Sequence, residues 1–444
     1  KSFKNYYKEV SYNQYIPDGE VHGWYRAPHD SSYYTNTVGD YGLGNIYPFN
    51  TAGLVADVLD IAKNDINWTS FDTDNDGYLN SVIIVHSGAE AASTGNTGDF
   101  WAHVSSIPFP RTIQGKTVVN YACSAEYIAP TFLTQVIGVD CHEFGHLLYL
   151  PDLYDYSTNS NGVGDFSLMG SGSWAGNVGD TPTHLDAWSK YFMGWSNTIE
   201  NPVGIVNIET AQLNSTNYKY TTTDPLEYFM VENRQDIMFD SYLPAHGLLI
   251  WHVNEHQQYN DNELCFKVGL IQADGERHLE NKANSGDGGD SYPGWTNNRS
   301  FGHSTIPGSS LCNNTTKDML INNISNPGDP MSFNSYLPTS PLGSIEFRVY
   351  PFTSSDIYFD TTYKGTTDPT TGILIINNIP IGMINYTIKK TGYYDRTGSV
   401  EVIANTTVTV YAILNVMPGT VNMASTPSGA EIYIDDIDIL KTTP

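Results

Sequence analysis

The stretch His142–Asp155 reads HEFGHLLYLPDLYD. Apolar residues from Leu133 to Leu150 are spaced for a buried helix, and on a helix residues four apart share a face. His142 and His146 can therefore present two imidazole nitrogens to one metal ion, with Glu143 beside it. Such an ion lowers the pKa of a bound water toward about 7, and a neighbouring carboxylate can take its proton as the water attacks a carbonyl. That chemistry needs a third protein ligand and an open position. A helix continued for ten residues would leave Asp152 roughly 15 Å along the axis from His142. Pro151 ends the helix and steers Leu150 out of the α region, so the chain can turn and bring Asp152 back. Asp152 is the expected third ligand. Asp155 and Glu126 compete for the position, and Asp152 could instead orient a histidine from behind.

Upstream, Thr51–Lys63 reads as a helix and Ser81–His86 as a strand, which implies an α/β layer. Between them Asp72–Asn80 reads DTDNDGYLN, with carboxylates at Asp72, Asp74 and Asp76, a glycine, a carbonyl from Tyr78, and Asn80 at the ninth position. This is the order in which a calcium loop wraps its ion, although Ile83 stands where an EF-hand has its closing glutamate. Thr183–Met193 suits another helix. After Trp195 the texture changes to short alternating runs, such as Tyr228–Glu232 and Gly247–Val253, read as strands of a second, β-rich region. The acidic segment Gly286–Pro293, GDGGDSYP, is read as a solvated turn, with a second cation site as the alternative.

Beyond a linker at Leu337–Gly343, a repeat with an offset of about 75 residues links Asp356–Asp360 with Glu431–Asp435, and both copies alternate as small β modules. The second stops at Pro444, from which a longer parent protein is expected. The expected domains are 1–198 (catalytic), 199–341 (β-rich and packed on it), 342–415 (β module) and 416–444 (start of a second module).

The chain has 444 residues, with 48 acidic against 21 basic, for a formal charge of −27. Such a surface repels phosphates and anionic lipids, so nucleic acid and membrane-surface partners are not expected. No apolar run is long enough to span a membrane. N-x-S/T sequons at Asn67, Asn214, Asn298, Asn313, Asn314, Asn323, Asn385 and Asn405 suit a secreted glycoprotein. The absence of an initial Met and of a leader suggests a processed piece. Four cysteines suggest two local disulfides, Cys123–Cys141 and Cys265–Cys312.

The stretch 142–155 resembles the active-site segment of the immune inhibitor A family of secreted, metzincin-like zinc metallopeptidases. So do GVGDFSLMGSGSW at 162–174, PTHLDAWSKYFMGW at 182–195, the segment Asp72–Gly88, and the strands near 228–235 and 243–253. The resemblance implies an α/β metzincin-like peptidase domain, zinc on His142, His146 and Asp152, Glu143 as the catalytic base, and Met169 in a methionine turn beneath the metal. Substrates would be proteins or peptides, in an extracellular or cell-surface setting. The family usually has Gly where this chain has Tyr149, which leaves the turn in question. Tyr154 is one candidate among many tyrosines for stabilising an oxyanion. Ser425–Asp435 resembles PEGA modules, small β-sandwiches that imply spacing or adhesion, with attachment through a part of the protein beyond this chain. The rival function is a surface-structural protein built on a degenerate peptidase domain.

Overall fold

The computed structural model describes residues 1–35, 40–44, 46–128, 133–134, 136–337, 342–404, 406–419, 422–434 and 437–444. It is mostly strand with few helices, arranged in two compact units, 1–337 and 338–444.

In the first unit, strand Ile83–Ala89 runs parallel to Lys116–Ile128, whose other neighbour, His103–Ile113, is antiparallel. The helix Thr51–Ala62, capped by the Asn50 side chain, packs Val55, Ala56 and Leu59 into a core with Ile107, Val118, Tyr121 and Cys123. Both of these elements fall close to where the sequence places them. The helix Ile137–Leu147 starts four residues later than its apolar spacing suggests, because Leu133–Thr134 pairs with Tyr127 and Ile128 as a short strand. The helix expected over 183–193 is Ala187–Phe192, set by Asp186, whose carboxylate accepts from the Ser189 N–H.

The β-rich part explains its own hydrophobicity. Strand Glu227–Arg234 is buried at every position, which is unusual for an antiparallel strand and means both faces are covered. Phe229 and Val231 face a core shared with Val206, Ile321 and Phe333 of a second sheet. Tyr228 and Met230, on the other face, join Trp251 and Val253 against Phe144, Leu150, Leu153 and Met169. Each large side chain so buried contributes about 1.5–3 kcal/mol. The metal-motif segment and the β-rich region thus share one core. A helix that sequence reading passed over, Phe3–Val10, closes it from the other side: Tyr6 and Tyr7 are fully buried, and Phe3 meets Phe144 edge-on at 5.0 Å.

In the second unit, sheets Ile373–Pro380/Leu342–Tyr350/Thr407–Ile413 and Thr362–Thr366/Asp356–Phe359/Gly382–Lys389/Arg396–Val402 enclose a core that includes Ile345, Phe347, Ile357 and Ile388. The second copy contributes the hairpin Glu431–Ile434 with Ile437–Thr442. Most of the expected linker, the sequon at Asn405 and Asp435 lie outside the described residues.

One disulfide is present, Cys265–Cys312, with Cα atoms 5.4 Å apart. The expected Cys123–Cys141 pair does not form: both are free and buried. Cys123 points into the core under the Thr51–Ala62 helix while Cys141 belongs to the core around Met169, so they serve as apolar filler in different clusters.

Candidate metal centre

The helix Ile137–Leu147 ends in a Schellman turn: Leu150 N–H donates to Gly145 O at 3.0 Å and Tyr149 N–H to His146 O at 2.9 Å. Such a turn needs a left-handed residue, and Tyr149 supplies it at φ 68° with its side chain 81% exposed. The turn expected of a glycine is kept, at a cost of roughly 1–2 kcal/mol for a side-chain-bearing residue in that conformation. Pro151 follows, and Leu153 N–H donates to Met169 O at 2.8 Å, which fixes the returning chain.

Asp152 thereby comes back to the histidines. Its Oδ1 lies 3.0 Å from Nε2 of His142 and 3.2 Å from Nε2 of His146. Each imidazole is oriented from behind, since Nδ1 of His142 reaches Leu168 O and Nδ1 of His146 reaches Leu150 O, both at 2.8 Å. A carbonyl can only accept, so both Nδ1 atoms carry the proton and both Nε2 atoms face the carboxylate. Tyr156 donates its hydroxyl to Asp152 Oδ2. The tyrosine beside it, Tyr154, lies parallel to the His142 ring, centroids 6.1 Å apart. Asp152 Oδ1 and Glu143 Oε2 are buried without a hydrogen-bond donor among the described residues.

Two nitrogens and a carboxylate oxygen converging in a buried place require positive charge between them. Burial lowers the His142 pKa, but Asp152 and Glu143 outweigh it and push it up to about 9. Burial raises Asp152, yet the two imidazoles hold it well below the usual carboxylate range. A divalent cation satisfies the same demand, and two imidazoles with one carboxylate form a donor set that fits zinc. Glu143 is raised by burial against the opposing pull of His142 and His146.

Met169 is fully buried against the helix: a Cβ on Gly145 would meet its Sδ at 2.6 Å, so glycine is what lets the helix sit on the thioether. Asp155 is not gathered with the histidines. Its oxygens accept from the N–H groups of Ser157, Asn159 and Ser160, structuring the following loop. Glu126 is not brought into the cluster. Beside the helix end, Tyr149, Pro151, Trp188, Phe192, Glu255 and Tyr259 line an open groove of about 680 Å³.

The Asp72–Asn80 loop gathers Asp72, Asp74 and Asp76. Asp72 accepts from the N–H groups of Asp76 and Gly77, each at 3.1 Å, and Lys116 sits on its Oδ2. That ammonium holds the Asp72 carboxyl below its usual range. Asn80 accepts from Thr73 N–H at 3.1 Å, while Tyr78 N–H donates to Asp76 at 2.7 Å.

The H-E-x-x-H helix and the carboxylate returned after it thus form a candidate metal centre, with Met169 buried against the helix. Residues 1–198 match the immune inhibitor A peptidase M6 catalytic domain. Over 218 residues the chain is 32% identical to a pre-pro-metalloprotease, PrtV, of Vibrio cholerae serotype O1, covering 43% of this chain and 23% of that protein. Over 231 residues it is 29% identical to immune inhibitor A of Bacillus thuringiensis subsp. alesti, covering 45% and 34% respectively. The chain thus spans about a quarter to a third of the length of these relatives. A solved structure, the Bacillus anthracis TIE protein, is similar over 22% of this chain and 23% of its own at 14% identity, with a TM-score of 0.15, too low to inform the fold.

Proposed function

We propose that the chain is a secreted zinc endopeptidase whose domain over 1–198 has a metzincin-like fold. The observation that carries this is the convergence of His142 Nε2, His146 Nε2 and Asp152 Oδ1, with both Nδ1 protons committed to carbonyls. Zinc held there would polarise a peptide carbonyl and acidify water. Glu143 takes the water's proton and passes it to the leaving amine; its raised pKa suits the second half of that task. Tyr156 fixes Asp152, and Leu168 and Leu150 fix the two rings. The groove beside Tyr149 receives an extended stretch of substrate, with Phe192 and Tyr259 offering apolar contact.

Secretion is supported by the sequons, whose asparagines among the described residues are all partly or fully exposed, and by the disulfide. Among the described residues no helix is long and apolar enough to cross a membrane. The module over 342–415 acts as a spacer or adhesive element. Calcium in the Asp72–Asn80 loop would have to displace Lys116, and thermal stability unaltered by EGTA in an Asp290→Asn background would exclude it.

Casein hydrolysis by the wild type and by Glu143→Ala tests the peptidase reading. A fall of about 10²–10⁴-fold in the variant is expected. Zinc-loaded wild type that cleaves neither casein nor a peptide library would favour the non-catalytic surface protein instead.

A further inference from the structure

The acidic segment Gly286–Pro293 is not the solvated turn that its composition suggests. Its backbone folds onto the turn after Leu270: Ala273 N–H donates to Asp290 O at 2.9 Å and Asp274 N–H to Gly289 O at 3.2 Å. Carboxylate oxygens of Asp274, Asp287 and Asp290 then lie within 4.8 Å of one another. Acidic clusters are common on surfaces, but Asp290 is fully buried. One of its oxygens accepts from Asp287 N–H at 2.7 Å, while Oδ1 has no donor among the described residues, and neither has Oδ2 of Asp274.

The neighbours do not supply the missing charge. Asp287 accepts from Asn284 Nδ2 at 2.6 Å, from Gly289 N–H at 2.8 Å and from His278 Nδ1 at 3.2 Å. His278 is shared with Glu276 at 3.1 Å, and no Lys or Arg among the described residues pairs with Asp274, Asp287 or Asp290. Two buried carboxylate oxygens left without a donor or a cation would be strongly destabilising. Oxygen-only donors, three of them carboxylates, suit a hard divalent ion.

We propose that Asp274, Asp287 and Asp290 bind a calcium ion that ties the 286–293 loop to the turn at 273–275. The residues just before that loop brace the segment that leads to Met169. Asp165 N–H donates to Ser285 O and Asn161 Nδ2 to Asn284 O, and the chain runs from there to Leu168 and Met169. This site stands independently of the zinc reading.

Trp295 makes it visible. A Cβ on Gly289 would lie 2.0 Å from Asp274 Oδ2 and 2.4 Å from Trp295 Nε1, so the indole borders the site. Terbium titrated into the chain and excited through tryptophan should give saturable emission that calcium displaces. Trp295→Phe should lose that emission while keeping the rise in Tm on adding calcium. Asp290→Asn should lose both, and Asp274→Asn, at a half-buried position, serves if the first variant does not fold. Asp74→Asn should lose neither. The proposal is overturned if no calcium-displaceable emission occurs, if Trp295→Phe leaves it intact, or if only Asp74→Asn abolishes the calcium response.

Discussion

Two stretches of this chain are spelled as cation sites, His142–Asp152 and Asp72–Asn80, and folding completes them differently. At the first, the candidate ligand atoms face one another: both Nδ1 protons go to carbonyls, and both Nε2 atoms meet Asp152 Oδ1 with no other donor among the described residues. At the second, Asp72 is already served by two backbone amides and by Lys116. Ligand spacing places the oxygens and nitrogens, but whether a cation is needed depends on who else reaches them. The Asp290 cluster follows the same rule from the opposite side, since its spacing is unremarkable and two of its oxygens, Asp290 Oδ1 and Asp274 Oδ2, have no donor among the described residues.

The largest effect that would sharpen this contrast comes from Tyr156→Phe. Losing the hydroxyl that holds Asp152 should weaken zinc about 10–100-fold in a competitive chelator titration; unchanged affinity would mean Asp152 needs no such support. Next comes Gly145→Ala. Forcing a methyl against Met169 Sδ should cost about 1–3 kcal/mol in urea unfolding. A neutral result would show that the helix does not rest on the thioether.

Tyr149→Gly should stabilise the chain by about 0.5–1 kcal/mol, because relief of left-handed strain exceeds the entropy that glycine adds to the unfolded state. Hydrolysis should persist, and its loss would make Tyr149 a substrate contact rather than a tolerated turn residue. The smallest effect is at Lys116→Gln. Freed of its ammonium, the Asp72 loop should gain a modest calcium-dependent rise in Tm beyond that of the wild type, measured in the Asp290→Asn background.

Much of the centre is legible in sequence because its parts are close along the chain. The two histidines lie one helical turn apart, and Pro151 announces the reversal that returns Asp152. Met169 is carried by its neighbours rather than by its own chemistry. What escapes is contributed from a distance or by the backbone: Leu168 O behind His142, Lys116 on Asp72, the Phe3–Val10 helix against Phe144. Tyr156 was near enough to be found, but nothing in one tyrosine among 31 marks it as the partner of Asp152. The strand Glu227–Arg234 is recognisable, yet its burial on both faces follows from a third layer that local alternation does not encode. The free state of Cys123 and Cys141 has the same origin, since even number and proximity in sequence do not reveal that two cores divide them.

The most direct test of the central claim is the zinc content of purified wild type, Glu143→Ala and Asp152→Ala, read by mass spectrometry after dialysis against a weak chelator. Stoichiometric zinc in the first two and its loss from Asp152→Ala is the expected result. Full zinc and undiminished hydrolysis in Asp152→Ala would contradict Asp152 as the third ligand and with it the centre described here.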